Sequence, residues 1–462
     1  MEINLIFYTI WTEIGLELVL FFDKILFSWL VLSIIFRLFF VYFMISLTHL
    51  LQNPQTYRDE LQKRFKNPEI VDQIVEIQEN YKPKLQELEN LRRQKNEFNE
   101  VVIKLSGEEK IAKINEMKAV AEQIKGLEGD VRELKERLDE LLYLVPNLTW
   151  DGIPIGRDGD SNVETATYNT KPSFDFEPKN YYDLPVFQRD YLSEKGVEAC
   201  GFRGYYAKGE LAKFQKVLFD WVFDRLMEKG FEYVIPPIFV NEKVMTGTGF
   251  FPSGKEDAYK VSDGERDFYL TGTSEAALMF LHSNEVLDLT TPKKLTAWTR
   301  CFRNEAGSYG KDTKGGIRVT QFEKIETVLI CKPEDSEKVF EEMTNIFKGT
   351  LDLLGLCYHD LEVSSGDIGT KNYRQIDIEA WFPAQNTYRE LASSSNCTDY
   401  QTRTLNIKYK NQLGEAELTH SLNCTGVTNR AMFAIMEQFQ DENGRVKIPQ
   451  VLQARFGKEW LE

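Results

Sequence analysis

From Pro68 onward the apolar residues fall into a three-and-four spacing that runs to Val145. The first run is Ile74, Ile77, Tyr81, Leu88, Leu91, Phe98, Val102 and Leu105, and a turn signal follows at Ser106-Gly107-Glu108-Glu109. The spacing then resumes at Met117, Val120, Ile124, Leu127, Val131, Leu134, Leu138, Leu141 and Val145. A stripe of this period must be covered by another helix, and two runs of similar length joined by a tight turn cover each other. The pattern therefore predicts an antiparallel helical hairpin with arms of about 50 Å at 1.5 Å per residue. Pro83 is expected to kink the first arm, because it lacks the N–H of the helical ladder. Lys95 takes one seam position. Between residues 44 and 145 there are 17 Lys+Arg and 20 Asp+Glu, so the hairpin is close to neutral. Its cations bunch at Lys63-Arg64-Lys66 and Arg92-Arg93-Lys95. On pattern alone this is a solvated coiled coil that makes a dimer or a spacer.

The periodicity stops at 146-PNLTWDGIPIGRDGDSNVETATYNTKPSF-174, rich in Gly, Pro, Asp and Asn, which reads as a linker or boundary strand. Beyond it, helical stretches such as 208–230 alternate with strand-like runs at 232–240, 294–303, 317–330, 374–383 and 404–410. Several of these join through loops long enough for hairpins, so an α+β fold is expected, an antiparallel sheet with helices packed on it. No GxxxxGK[ST] occurs, and no GxGxxG opens a helix after a strand. Any nucleotide is then held by side chains on the sheet.

The net charge of −16 argues against a protein that coats nucleic acid indiscriminately, while leaving room for a local basic patch. Six cysteines stand singly with no CxxC pair, and there are only four histidines, so neither zinc nor a disulfide framework is expected. A reducing cytoplasm fits this usage. The N-terminus differs from the rest: 25-ILFSWLVLSIIFRLFFVYF-43 is about long enough for one membrane span, though Arg37 interrupts it. Three readings of residues 1–43 stand side by side: a membrane anchor, an amphipathic or partner-binding helix, or residues upstream of a true start at Met44.

The densest chemistry lies in 300-RCFRNEAGSYGKDTKGGIRVTQFEKIE-326. Holding ATP on a sheet without a phosphate loop takes an arginine at the α-phosphate, a flat apolar face under adenine and a group that reads the base edge. Arg303, Phe322 and Glu305 supply these types, with Arg318 as a second cation. An ordinary hairpin with surface charges and one core Phe has the same composition.

This segment resembles motif 2 of the class II aminoacyl-tRNA synthetases, in the form found in seryl-tRNA synthetases, over some two dozen positions. Val319-Thr320 depart from it where the family has a residue followed by His. Further segments are similar to the same family: 235-IPPIFVNEKVMTGTGFFP-252 to motif 1, 271-TGTSEAAL-278 to the serine-binding loop, 389-RELASSSNCTDYQTR-403 to the segment before motif 3, and 420–452 to motif 3 and the C-terminal tail. The linker resembles the family's junction between arm and catalytic domain. Three departures stand out. Asn423 and Arg430 are one residue closer than in the commonest form, 181–210 lacks the usual Asp-His-x-x-Leu-Gly, and Cys424 replaces a small residue, where it reads as packing.

Residues 1–43 read as a hydrophobic extension from their composition, and 44-MISLTHLLQNPQTYRDELQKR-64 resembles the family's N-terminal start; the resemblance implies a tRNA-binding arm at 44–146 and a class II catalytic domain at 147–462. It implies an enzyme that activates L-serine with ATP and charges tRNA(Ser), and tRNA(Sec) as well, as a cytoplasmic homodimer. Arg303 and Arg430 would be catalytic, on the α- and γ-phosphates. The ATP site would comprise Arg303, Asn304, Glu305, Arg318, Val319, Phe322, Glu390, Leu391, Ala392, Ser393 and Arg430. Glu390 and Ser393 would hold Mg²⁺, a hard cation suited to oxygen ligands. Thr273, Ser274, Glu275, Glu326 and Thr425 would form the serine pocket, with Glu326 reading the hydroxyl. Arg92, Arg93 and Lys95 would contact the long variable arm of the tRNA, and Lys311 and Lys314 the acceptor end. Two other outcomes share most of these motifs: a paralogue that loads a carrier protein, and a non-catalytic membrane-tethered scaffold.

Overall fold

The computed structural model describes residues 44–462 except 104, 306–309, 311 and 313. The readings of residues 1–43 and of Lys311 lie outside these described residues. No helix among the described residues is long and apolar enough to cross a membrane.

The heptad runs become two long helices, α2 (Glu69–Val102) and α3 (Gly107–Leu144), preceded by α1 (Pro54–Lys63). Helix α2 continues unbroken through Pro83. Seam burial is graded along the hairpin. Ile74, Ile77, Leu138 and Leu142 near the root are buried, whereas Ile103 and Ile111 at the tip are exposed. Lys95 is exposed rather than packed in the seam. Ion pairs Lys84–Asp130 (2.5 Å) and Arg92–Glu128 (2.7 Å) cross between the helices.

Buried Arg64 is central to the joint between the root and the rest of the chain, beside bonds from Lys63 to Thr149 (2.8 Å), Thr149 to Glu60 (3.0 Å) and Ser365 to the Lys63 carbonyl (2.6 Å). Arg64 ends α1, and its Nε donates to Glu60 at 2.8 Å. Its two Nη atoms donate to the carbonyls of Asn147 (2.8 Å), Asn372 (2.8 Å) and Gly369 (3.1 Å). A planar guanidinium is the side chain able to satisfy so many backbone acceptors at once. Tyr400 joins Leu61, Ile74 and Leu142 in the same apolar cluster.

Beyond the linker lies an eight-stranded sheet: β1 (Val163–Tyr168), β2 (Glu232–Tyr233), β3 (Lys293–Phe302), β4 (Gln321–Cys331), β5 (Tyr358–Glu362), β6 (Arg374–Phe382), β7 (Thr387–Thr398) and β8 (His420–Thr428). Its order is β1-β5-β6-β7-β8-β4-β3-β2, antiparallel throughout except for the short β2–β3 pair. Three helices, α4 (Gly209–Glu228), α6 (Ser336–Leu354) and α8 (Asn429–Gln438), share one apolar core with Ile325, Leu329, Ile378 and Ala380 of the sheet. In α6 the buried positions Val339, Phe340, Met343, Phe347, Leu351 and Leu354 repeat at helical spacing, and Gly355 at φ +75° ends it. This core leaves the opposite face of β4, β7 and β8 for the site, where the short α5 (Glu275–Phe280) also packs.

Three expected strands are shorter than their sequence runs. In 232–240 only Glu232–Tyr233 and Phe239–Asn241 pair, because Pro236 and Pro237 have no N–H to give a ladder. Strand β4 starts at Gln321 rather than 317, since side chains and a neighbouring amide take the preceding carbonyls: Arg430 that of Ile317, Arg203 that of Arg318 and the Arg303 N–H that of Thr320. In 404–410 only Lys408–Lys410 is strand. Tyr400–Leu405 forms α7, closed by an Arg403–Asp399 ion pair one turn apart and by Asn406 at φ +53°.

Candidate active site

Side-chain alternation on β4 builds the centre of the site. Phe322, Lys324 and Glu326 lie on one face, two residues apart, while Ile325 points into the helix-backed core. Beside Phe322, at the end of β3, Arg303 sets its guanidinium 5.3 Å from the ring centroid. That guanidinium has no hydrogen bond or ion pair among the described residues, so it is available to an anion. Glu305 sits in the left-handed region at φ +54° and takes a 2.9 Å bond from Arg318. A non-glycine residue held there carries backbone strain of a kind that clusters at functional sites.

Strand β7 contributes through a bulge. Ile378 pairs with Ala392 but Glu379 pairs with Glu390, so Leu391 is the extra residue. The bulge reverses the alternation, and Glu390 and Ser393 therefore share a face although they stand three positions apart. Arg430, in the first turn of α8, donates to the Glu390 carboxylate at 3.0 Å and to its carbonyl at 2.9 Å. Burial acts to raise the Glu390 pKa, but Arg430 prevails and holds it below the ordinary value. Asp377 stands directly opposite Ser393 and is pushed up to about 7, by burial first and by the Glu390 charge second. Two neighbouring carboxylates beside a hydroxyl form an all-oxygen donor set, which suits a hard divalent cation.

Arg303, Glu305, Val319, Phe322, Lys324, Glu390, Leu391, Thr425 and Arg430 line one cavity. Behind Lys324 lies a second, smaller group. The Thr273 hydroxyl donates to Glu326 at 3.2 Å, Lys324 pairs with the same oxygen, and Thr425 faces Glu326 across the β4–β8 ladder. Glu326 is 1 % exposed, and burial drives its pKa above the ordinary carboxylate range while Lys324 pulls it down. Glu275 opens α5 and pairs with Lys371, while Gln401 of α7 donates to it at 2.8 Å.

Other expected site residues stand apart. Ala392 is buried on the core side opposite Ile378, and Asn304 is turned to the backbone of Glu256 and Asp257. Arg318 is engaged with Glu305 and, at 3.8 Å, Asp312. The Ser274 hydroxyl is buried with no partner among the described residues. Arg92, Arg93 and Lys95 are exposed far along α2, and Arg93 bonds Asn90 at 3.0 Å. Lys324, Lys371, Gln401 and Asp377 were not expected. Two-residue alternation with Glu326 is a signal that finds Lys324. Lys371 arrives from a distant loop and leaves no local trace, while Gln401 comes from α7, inside the 389–403 segment.

The antiparallel sheet with Arg303, Phe322, Glu390 and Arg430 on its open face, backed by helices on the other, defines a class II aminoacyl-tRNA synthetase core. The family model of the tRNA synthetase class II core domain (G, H, P, S and T) matches residues 259–439, and that of the seryl-tRNA synthetase N-terminal domain matches 44–149. The chain belongs to the seryl-tRNA synthetase family and is a serine–tRNA ligase. It is 36% identical over 420 residues to the serine–tRNA ligase of Rhodococcus opacus, spanning 91% of this chain and 100% of that one. To that of Campylobacter jejuni it is 38% identical over 413 residues, 88% and 99% of the two chains. A crystal structure of seryl-tRNA synthetase from Pyrococcus horikoshii complexed with ATP superposes with a TM-score of 0.82 at 32% identity, over 90% and 99% of the chains. The cytoplasmic serine–tRNA ligase of Naegleria fowleri in complex with AMP gives 0.76 at 29%, over 89% and 96%.

Proposed function

We propose that this enzyme forms seryl-adenylate in the cavity between Arg303 and Arg430 and passes the seryl group to tRNA(Ser) and tRNA(Sec). The observation that carries the reading is a buried carboxylate, Glu326, set with Thr273 just beyond a cavity that offers, over an aromatic ring, an arginine with no partner among the described residues. Adenine stacks on Phe322 with Glu305 at its edge. Arg303 meets the α-phosphate, and Arg430 meets the γ-phosphate. Serine places its ammonium at Glu275 and Thr273 and its hydroxyl at Glu326 and Thr425. Its carboxylate oxygen then attacks the α-phosphorus in line, the bond to the bridging oxygen breaks, and pyrophosphate leaves. Arg303 counters the charge that grows on the α-phosphoryl oxygens, where a preorganised donor contributes most. Glu390 and Ser393 are the groups that would hold Mg²⁺, which when bound neutralises phosphate charge. The terminal ribose hydroxyl of the tRNA finally displaces AMP.

A pocket that bonds a hydroxyl leaves its own polar groups unpaired when alanine enters, worth roughly 10⁴-fold in discrimination or more. The arm at 44–146 reaches the long variable arm of the tRNA by shape and backbone contact, through Arg92, Arg93 and Lys95. The catalytic domain at 147–462 pairs with a second copy, which the exposed Ile235 (83 %) and Phe239 (54 %) in the motif 1 segment favour. Six unpaired thiols, five of them buried, suit the cytoplasm. Serine-dependent ATP–pyrophosphate exchange tests the reading: serine is expected to drive exchange, alanine not, and Arg303→Ala to abolish it. Folded protein without serine-dependent exchange refutes it, and charging assays with tRNA(Ser) and tRNA(Sec) transcripts separate the synthetase from a carrier ligase.

A further inference from the structure

The amino-acid pocket holds four buried or nearly buried charges, two carboxylates and two ammonium groups. Lys324 pairs with Glu326, as its place on the same strand face requires. Lys371 has no such local reason to be there. It comes from the loop between β5 and β6, is 14 % exposed at its side chain, and lays its ammonium 4.2 Å from the centroid of Phe250. Both Lys371 and Gln401 donate to the same Glu275 oxygen, Oε1. The other oxygen, Oε2, accepts no hydrogen bond among the described residues. Gln401 is itself fixed, because its amide also donates to the Thr248 carbonyl at 2.9 Å and its oxygen accepts from Ser421 at 2.9 Å.

We propose that Lys371 is a positioning residue for the amino-acid pocket: it is an internal counter-cation that holds Glu275 by Oε1, presents Oε2 to the substrate ammonium and keeps the free pocket electrically neutral. The inference rests on the reading that Glu275 receives that ammonium. Burial works against the Lys371 charge, yet Glu275 keeps its pKa above the ordinary lysine value, so the cation persists in the empty pocket. An incoming ammonium therefore shares a carboxylate that is already compensated. Part of its attraction is cancelled, and Glu326 is left to decide which amino acid stays. Without Lys371 the free enzyme keeps an uncompensated buried carboxylate, which the substrate ammonium relieves on binding.

The test measures serine affinity by calorimetry, together with serine and ATP KM in pyrophosphate exchange, on full-length wild type, Lys371→Met and Lys371→Gln. Methionine fits beside Phe250, and glutamine keeps a donor to Oε1 while removing the charge. Both variants are expected to bind serine about tenfold more tightly, with serine KM falling and ATP KM unmoved. Because the gain is shared by ground and transition states, kcat does not rise. Thermal unfolding of the free variants falls below wild type, and saturating serine raises it by more than in wild type. Serine affinity that is unchanged or weaker in the glutamine variant overturns the proposal, as does an ATP KM that shifts with it. Glu275→Gln separates the two layers. If it leaves serine affinity intact, the ammonium site itself is misassigned. If it weakens serine while the Lys371 variants do nothing, only the role of Lys371 fails.

Discussion

At the scale of single residues, what could be read in advance depended on whether chemistry and position were local in the chain. Arg303, Phe322 and Glu326 share one hairpin, so their order announces a site. Lys324 follows from them by alternation alone. Asp377 and Lys371 did not announce themselves, since each gains meaning only from a strand or loop brought alongside. His359 is a further case. It stacks on Tyr388 with centroids 3.7 Å apart and bonds Glu164 at 2.8 Å and Glu379 at 3.0 Å. Burial opposes its charge, but the two carboxylates prevail and lift its pKa above the ordinary 6.5. A histidine with a raised folded pKa contributes stability in full below its unfolded pKa and loses it as the pH rises through the folded one. Urea midpoints of the wild type are therefore expected to fall as the pH rises above about 6.5, and His359→Gln to flatten that dependence.

At the scale of elements, the hairpin was legible because its period is long and uninterrupted. The sheet was legible only as a type. Strands β7 and β8 sit inside motif segments whose serines, asparagines and cysteines give weak strand signals, and they take their pairing from neighbours on both sides. The bulge at Leu391 leaves no mark in sequence, yet it decides that Glu390 and Ser393 share a face. The turn into β4 is equally demanding. A Cβ on Gly316 would lie 2.6 Å from Phe433 Cζ and 3.1 Å from Tyr191 Oη, and the Gly316 N–H donates to Tyr181 Oη at 2.8 Å. Gly316→Ala is expected to cost about 1–3 kcal/mol of stability, because rigid rings must shift. Gly316 and Ile317 also line the cavity of Arg303 and Arg430, proposed above to hold ATP, so ATP KM is expected to rise about tenfold, which steady-state exchange measures.

At the scale of the molecule, the arm meets the catalytic sheet through an apolar cluster and a set of polar bonds, in which Arg64 alone reaches three carbonyls. Its carbonyl partners Gly369 and Asn372 flank Lys371, and Tyr400 of the arm-root cluster precedes Gln401. Arg64→Met removes a buried ion-pair partner and strands several acceptors. The expected loss is about 3–5 kcal/mol, with hydrogen exchange accelerated more in the 368–373 loop than in the adjoining strands. No sequence pattern pointed to this residue, because it falls in a cluster of three cations that reads as solvated.

The graded seam of the hairpin has a mechanical meaning. A beam clamped at one end and free at the other bends most easily in displacement at its tip, while torque concentrates at the clamp. Here the clamp is Arg64 with the buried root residues, and the free end is Ile103 and Ile111 in open solvent. Small curvature distributed along α2 and α3 is expected to displace the tip most, while the Arg64 bonds hold the backbone at Gly369 and Asn372.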